Sequence, residues 1–206
     1  MTSQEILKRL QRDIHTVVFA TVDEKGLPQT CVIDLMLADE GGLYFLTARG
    51  KSFYGRLMQK KYAALSGRKG EDTLSSIAIS VRGPVRPIGQ ERLAEIFEKN
   101  PYMAEIYPTE KSREALEVFQ LYRGEGEYFD LSQIPPFRQK FGFGGAPVRE
   151  SGYHIREDMG IGCQGCLSVC PTDCISRTVP RVIEASHCLH CGNCLHICPV
   201  GAVERK

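Results

Sequence analysis

The chain has 206 residues and nine cysteines, and 26 Lys and Arg residues against 25 Asp and Glu residues give a net charge of +1. This length fits one domain with an added module, or two small domains. A nearly neutral chain lacks the basic field that draws proteins to phosphate backbones, so we expect no nucleic-acid partner. No apolar run approaches the ~18 residues of a spanning helix, and residues 1–13 lack the apolar stretch of a secretory signal. We therefore expect a cytoplasmic protein with no membrane partner.

The cysteines divide the chain into two parts. Cys31 lies among the first 162 residues, and all the others lie between Cys163 and Cys198. The first part is expected to fold around an ordinary core, whereas a segment so poor in large apolar residues needs cross-links. In a reducing cytoplasm, dense cysteines hold metal more often than they form disulfides.

Most of the first part is predicted as short strands, because its β-branched and aromatic runs end at turn residues. The predicted strands cover residues 16–22, 27–37, 43–47, 62–66, 75–82, 85–88 and 126–131. Gly83 and Pro84 interrupt the pattern between the fifth and the sixth strand. Many short strands with few helices favour a small barrel, which closes on itself to remove exposed edges.

Helices are predicted at three places in the same part. Ser3 is the expected cap of the first helix, residues 51–60 form the second, and residues 90–119 show helical spacing broken at prolines. Residues 132–152 are rich in proline and glycine and are predicted to be a linker. Its aromatic residues indicate that it packs against something: Phe137, Phe141 and Phe143.

The cysteines from Cys188 to Cys198 follow the spacing C-x2-C-x2-C-x3-C-P, which is typical of a cubane iron–sulfur cluster. Three closely spaced thiolates can wrap one face of the cube, and Gly192 permits a tight loop whose amides donate to the sulfides. Pro199 redirects the fourth cysteine toward a neighbouring cluster. Zinc is the alternative, but zinc sites usually pair two C-x2-C knuckles across a longer gap.

The first run, from Cys163 to Cys174, is incomplete. When both runs are aligned on their Cys-Pro pairs, Gly160 stands at the position of Cys188, and glycine cannot ligate iron. The other correspondences are Cys163 with Cys191, Cys166 with Cys194, and Cys170 with Cys198.

In two-cluster ferredoxins the fourth cysteine of each run serves the other cluster. One predicted cluster is therefore bound by Cys170, Cys188, Cys191 and Cys194. The other is bound by Cys163, Cys166 and Cys198 and lacks one thiolate. Cys174 is the favoured replacement, because it follows Cys170 closely; the alternatives are a three-iron cluster, or an iron held by water or by a residue such as Asp158.

Residues 153–206 resemble the two-cluster bacterial ferredoxins in their spacing and in both Cys-Pro pairs. They depart from that pattern at Gly160. The resemblance implies that apolar residues shield the clusters, namely Ile175, Val200 and Ala202. The histidines among the ligands are expected to be surface residues or hydrogen-bond donors to sulfide rather than metal ligands: His187, His190 and His196.

Residues 1–131 resemble the pyridoxamine 5'-phosphate oxidase-like split-barrel flavoproteins. Two segments carry the resemblance, ATVDEKGLP from Ala20 and LYFLTARGKS from Leu43. It implies FMN bound at the interface of a homodimer formed through the barrel. By position, the residues along the isoalloxazine would be Val32, Ile33 and Asp34. Those toward the ribityl chain and phosphate would be Leu46, Thr47, Arg49, Lys51 and Ser52.

The phosphate site also has support from the residues themselves. Lys51 and Ser52 open a predicted helix, so amides, a helix dipole, a cation and a hydroxyl converge where a phosphate would lie. The alternative is a solvated turn with a capping serine. The chain continues into a ferredoxin-like segment where pyridoxamine phosphate oxidases have a basic substrate-binding segment, so we do not predict vitamin B6 oxidation. Cys31 is expected to be a small buried hydrophobe rather than a redox thiol.

We therefore expect a mainly β, FMN-binding split barrel with flanking helices at 1–131, a linker at 132–152, and a small α+β ferredoxin-like domain with two [4Fe-4S] clusters at 153–206. The predicted function is an FMN-dependent oxidoreductase. Its clusters would relay single electrons between an external donor such as ferredoxin and the flavin, which reduces a small organic substrate. A non-catalytic electron carrier or a flavin and iron–sulfur redox sensor is the alternative.

Overall fold

A computed structural model describes residues 1–149 and 151–205. The chain divides into two compact units. The barrel unit comprises Met1–Lys69, Ala78–Tyr128 and Phe141–Val148, and the cysteine unit comprises Gly70–Ile77, Phe129–Lys140 and the residues from Arg149 onward. The domain boundaries predicted from the sequence remain a prediction. Among the described residues, no helix is long and apolar enough to cross a membrane.

Ten strands and seven short α-helices are assigned within the described residues. The strands are β1 Thr16–Val22, β2 Pro28–Asp39, β3 Gly42–Ala48, β4 Tyr62–Lys69, β5 Ile77–Pro87, β6 Leu116–Leu121, β7 Gly124–Asp130, β8 Phe137–Phe143, β9 Tyr153–Ile155 and β10 Val203–Arg205. The helices are α1 Ser3–Arg9, α2 Ser52–Lys60, α3 Leu93–Lys99, α4 Met103–Ile106, α5 Glu110–Arg113, α6 Gly165–Ser168 and α7 Asn193–Ile197.

Six strands form a closed barrel in the order β4-β1-β2-β3-β6-β5, and β5 pairs in turn with β4. The same sheet continues from β5 through β7 to β8. β1 and β2 are antiparallel, with Val18 opposite Val32. β2 pairs with β3 from Leu35 to Asp39, so the preceding residues of β2 extend beyond that pairing. The predicted mainly β fold, a closed barrel with few helices, is confirmed.

The barrel core is organised around Phe45 at the centre of β3. Its ring lies 4.5 Å from that of Phe19 and 5.7 Å from that of Phe119, measured between centroids, and all three side chains are fully buried. Aromatic pairs at these separations are worth about 0.5–1.5 kcal/mol each beyond the area that they bury. Outside the barrel, Ile96 of α3 packs with Leu116 and other buried residues of the neighbouring strands.

The structure corrects the prediction that residues 90–119 form helical segments broken only at prolines. Helices α3, α4 and α5 occupy part of this range, but Leu116–Leu121 is strand β6. All six of its residues are buried, because one face packs around Ile96 and the other against Phe45. A strand covered on both faces loses the alternation of apolar and polar residues that identifies a strand in a sequence.

Three smaller expectations also differ from the structure. Thr2 rather than Ser3 caps α1, because its hydroxyl accepts from the Glu5 amide at 3.2 Å while the Glu5 carboxylate accepts from the Thr2 amide. β5 runs unbroken through Gly83 and Pro84. The predicted linker contains strand β8.

We predict that Gly83→Ala lowers the melting temperature by several degrees. A Cβ atom there would lie 2.0 Å from the Arg123 carbonyl oxygen, and forcing atoms into packed space costs about 1–3 kcal/mol. Gly55→Ala is the matched control, because its Cβ meets nothing within 4 Å and alanine is favoured over glycine in a helix by roughly 0.5–1 kcal/mol. Equal melting temperatures for the two variants, measured by calorimetry, would contradict the prediction.

Candidate functional site

In the barrel unit, Asp34 of β2 is held by three side chains. Thr16 Oγ1 donates to its Oδ1 at 2.6 Å, Tyr102 Oη donates to its Oδ2 at 2.8 Å, and His15 Nε2 lies 3.6 Å from the same Oδ2. Burial is the main effect that raises the pKa of the Tyr102 hydroxyl. The hydrogen bond to Asp34 and the negative charge of that carboxylate raise it further. The tyrosine therefore remains a donor, and the carboxylate is fixed on the β2 surface. Val32 on the same strand is 64% exposed, and Ile33 is half-buried.

The remaining predicted FMN residues follow the chain from the end of β3 into α2. Leu46 and Thr47 are buried near the end of β3, whereas Lys51 and Ser52 are exposed where α2 begins. The buried Thr47 hydroxyl has no hydrogen-bond partner among the described residues. A buried polar group normally finds a partner, so this hydroxyl is available to a bound ligand.

Arg49 is positioned by Glu117 of β6. Arg49 Nε donates to Glu117 Oε2 at 3.2 Å, and the other oxygen of this buried carboxylate accepts from the Gly89 amide at 2.7 Å. The arginine side chain is about half-exposed, at 49%. Its guanidinium therefore stays at the surface with donors left for an anion.

The thiol of Cys31, on β2, lies close enough to two cations at α2 for their charges to act on it. Burial raises the pKa of its thiol, and the positive charges of Arg56 and Lys51 partly offset that effect. Arg56 Nε also donates to Thr21 Oγ1 at 2.8 Å. Arg56 therefore lies on the face of β1 and β2 that carries Thr21 and Cys31, opposite to the face that carries Asp34, because side chains alternate along a strand.

In the cysteine unit, two cavities divide the eight clustered cysteines. The first cavity encloses about 500 Å³, partly open to solvent, and is lined by Cys163, Cys166 and Cys198. The second cavity measures about 300 Å³ including its space open to solvent, and it is lined by Cys170, Cys174, Cys188, Cys191 and Cys194. Each cavity therefore takes cysteines from both sequence runs. Within the described residues, no group of His, Cys, Asp and Glu side chains forms a site for a single metal ion.

The position of Cys174 differs from the favoured prediction. It lies on the second cavity, with its Sγ 3.5 Å from that of Cys170, rather than on the cavity that lacks a thiolate. The cause is a hairpin: Ile175 forms a bridge with Ile183, and the Glu184 amide donates to the Cys174 carbonyl at 2.7 Å. This hairpin fixes Cys174 close to Cys188, and burial raises the pKa of its thiol to about 12.

Backbone amides surround the sulfurs. The amide of Ala202 donates to Cys198 Sγ at 3.2 Å, and that of His190 donates to Cys188 Sγ at 3.4 Å. Burial alone would raise the pKa of Cys198, but amides of residues 200–203 outweigh it and the pKa is lowered. The same balance lowers the pKa of Cys170, where the amides of Thr172 and Cys174 act against burial. Amides that donate to sulfur stabilise thiolates, as cluster binding requires.

The histidines near the cysteines make ordinary polar contacts. His187 Nδ1 lies 3.0 Å from the Pro136 carbonyl oxygen, and His190 Nδ1 lies 3.3 Å from Arg138 Nη1. His196 is exposed. The contact of His190 with a cysteine sulfur is made by its amide, not by its ring.

Two residues of these sites were missed in the sequence. Tyr102 follows a proline in a region without periodicity, so nothing in the sequence connects it with Asp34. Arg181 lines the first cavity and is buried, with 9% of its surface exposed. Its only sequence signal is a basic residue after Val179 and Pro180, which does not distinguish it from a surface arginine.

Comparison with family models now identifies the two parts of the chain. Residues 3–128 match the model described as pyridoxamine 5'-phosphate oxidase. The chain belongs to the pyridoxamine 5'-phosphate oxidase family. Residues 181–204 of this family member match the model of a 4Fe-4S binding domain. That range holds the complete run from Cys188 to Cys198.

Solved structures with the barrel of this family show the same fold. A NimC/NimA family protein from Clostridium acetobutylicum is 17% identical with a TM-score of 0.56, covering 68% of this chain and 92% of that one. A heme-binding protein from Mycobacterium smegmatis is 13% identical with a TM-score of 0.53, covering 68% and 57%. A relative of general stress protein 26, also from C. acetobutylicum, is 14% identical with a TM-score of 0.51, covering 68% and 95%. No curated protein matches the chain.

We predict that Cys170→Ser and Cys174→Ser have different effects on iron content. Cys170 is the expected ligand with Cys188, Cys191 and Cys194, so its loss should remove or convert the cluster in the second cavity. Cys174→Ser should leave the iron and acid-labile sulfide per chain unchanged. Both variants are purified anaerobically and compared with the wild type by iron and sulfide analysis; equal losses would contradict this assignment.

Proposed function

We propose that this protein is an FMN- and iron–sulfur-dependent oxidoreductase. The observation that carries the proposal is the presence, in one chain, of a pyridoxamine 5'-phosphate oxidase-family barrel and a 4Fe-4S binding domain. These two modules together indicate redox or electron-transfer chemistry. Flavin when bound exchanges one or two electrons, whereas an iron–sulfur cluster carries one.

The barrel residues fit FMN. The unpartnered buried hydroxyl of Thr47, the cations of Arg49 and Lys51, and the amides that open α2 would hold a phosphate. α2 has nine residues, enough for its dipole to contribute at that end. On β2, the part of the strand that extends beyond the pairing with β3 offers backbone groups to the isoalloxazine beside Val32, Ile33 and Asp34.

The same strand pair supports the proposed homodimer. Val18 and Val32 are directly opposite each other on β1 and β2, and both are exposed, at 44% and 64%. Val22 on β1 adds a third exposed apolar side chain. A second copy of the chain would bury this apolar surface next to the proposed flavin residues.

The two cysteine cavities support two clusters. In the proposed reaction, the clusters would carry electrons one at a time from a ferredoxin-type donor to the flavin. Two electrons, together with two protons from solvent, would reduce one molecule of a small organic substrate. The electrons balance, because each substrate molecule takes up two and each donor gives one. Substrate specificity would be set by side chains around the flavin, which include Asp34 with its Tyr102 and His15 contacts.

We predict that Lys51→Ala weakens FMN binding by about 10- to 100-fold, because a hydrogen bond to a charged group contributes about 1.5–3 kcal/mol. Lys60→Ala is the matched control, since Lys60 is an exposed lysine at the other end of α2. The dissociation constant is measured by quenching of FMN fluorescence during reconstitution. Unchanged affinity for Lys51→Ala would move the phosphate site elsewhere.

The relay is tested by following flavin reduction after anaerobic mixing with reduced ferredoxin. Cys191→Ser should slow flavin bleaching at least tenfold while flavin occupancy stays the same. Dithionite, which can reduce the flavin directly, is the control and should act equally on both proteins. Equal rates with ferredoxin would exclude the relay, and flavin reduction that no added substrate reoxidises would favour the non-catalytic carrier or sensor.

A further inference from the structure

The first cavity holds three cysteines and a glycine at the position of the expected fourth ligand. Gly160 lines this cavity together with Cys163, Cys166 and Cys198. A cubane bound there would have three irons on thiolates, and its fourth iron would face a residue without a side chain. This inference rests on the proposed function, because it assumes that the cavity holds a cluster.

Of the other protein candidates for that iron, two are engaged elsewhere and the third is exposed to solvent. Cys174 lies on the second cavity, beside Cys170. Asp158 is exposed and forms an ion pair with Arg156, with Oδ2 2.7 Å from Nη2. Glu157 lines the first cavity, but its side chain is exposed to solvent.

Arg181 gives the same cavity a buried positive charge. Its Nη1 donates to the carbonyl oxygens of Ser176 and Arg177 at 3.0 Å, and its Nη2 donates to that of Gly162 at 3.4 Å. These contacts anchor the guanidinium. Its buried Nε has no hydrogen-bond partner among residues 1–149 and 151–205. An anchored, buried arginine with an unused donor is suited to bind an anion.

We propose that the cluster in the first cavity has one iron open to an external ligand, and that this iron and Arg181 together bind a small carboxylate. One carboxylate oxygen replaces water on the iron at the Gly160 corner, and the other accepts a hydrogen bond from Arg181 Nε. The step is a ligand exchange, so no electron is transferred and only water leaves. Apolar side chains around the cavity, among them Ile155 and Val179, suit a short aliphatic chain on that ligand.

The test compares Gly160→Cys with Gly160→Ala. A Cβ atom at residue 160 would lie 3.4 Å from the Arg156 carbonyl oxygen and 3.5 Å from Ile155 Cγ2, which are ordinary contacts. Both substitutions therefore fit, and only cysteine supplies a thiolate. The probe is propanoate, with neutral propanamide as its isostere, added to anaerobically purified, full-length protein. Binding is measured from the change in the EPR spectrum of the reduced clusters.

The wild type and Gly160→Ala should contain about eight irons per chain and respond to propanoate but not to propanamide. Gly160→Cys should keep the same iron content and lose the response. In Arg181→Lys the affinity for propanoate should fall at least tenfold. If propanoate changes the spectra of the wild type and Gly160→Cys equally, or of neither, the proposal is overturned.

Two other results would overturn it in distinguishable ways. About seven irons per chain in freshly prepared wild type, rising to eight only in Gly160→Cys, would show a three-iron cluster with no iron to open. A response to propanoate that appears only in Glu157→Gln would show that Glu157 occupies the iron. In both cases the proposed function stands, whereas absence of iron and sulfide from wild type would overturn the proposed function itself.

Discussion

Strand β4 pairs with β1 on one side and with β5 on the other, and the second pairing closes six strands into a barrel. Closure removes the free edges of an open sheet and creates an interior that is filled by side chains such as Phe19, Phe45 and Phe119. It also forces β3 and β6 to be buried on both faces once α3 covers them. The outer surface of β1 and β2 remains exposed, and two of the proposed flavin residues, Val32 and Asp34, have their side chains on it.

The same closure explains which parts of the fold were predictable. β1 was predicted at its exact limits, because its β-branched residues alternate between the core and solvent and end at a turn of Asp and Gly. Most of β6 was predicted as helix, because both of its faces are buried and its two polar residues, Glu117 and Gln120, are three positions apart instead of alternating with apolar ones. The sequence predicts an interruption at Gly83 and Pro84, yet the strand continues, because Gly83 makes a close approach to Arg123 rather than a turn. The conformations of β6 and of residues 83–84 depend on tertiary packing, and no local sequence pattern indicates that packing.

In the cysteine unit, the sequence predicts which cysteines are candidates to bind iron. Spacing and Cys-Pro pairs are local properties, so they single out the sulfurs without knowledge of the fold. The side on which Cys174 lies depends on the hairpin between Ile175 and Ile183, and the burial of Arg181 depends on carbonyl groups at three other positions. These contacts are not local, and the sequence contains no signal of comparable strength for them. The result is that the two cavities are unequal, with five cysteines on one and three on the other.

This inequality has a consequence for how the clusters could be used. A cluster with four thiolates exchanges electrons without changing its ligands, which suits it to pass electrons rapidly. A cluster with an open iron couples its electronic state to whatever binds that iron, because a bound anion stabilises the oxidised, more positive core. With Arg181 beside it, the first cavity would make electron flow depend on the concentration of a small anion. The glycine at residue 160 would then be a device that connects the redox state of the protein to a metabolite, rather than a lost ligand.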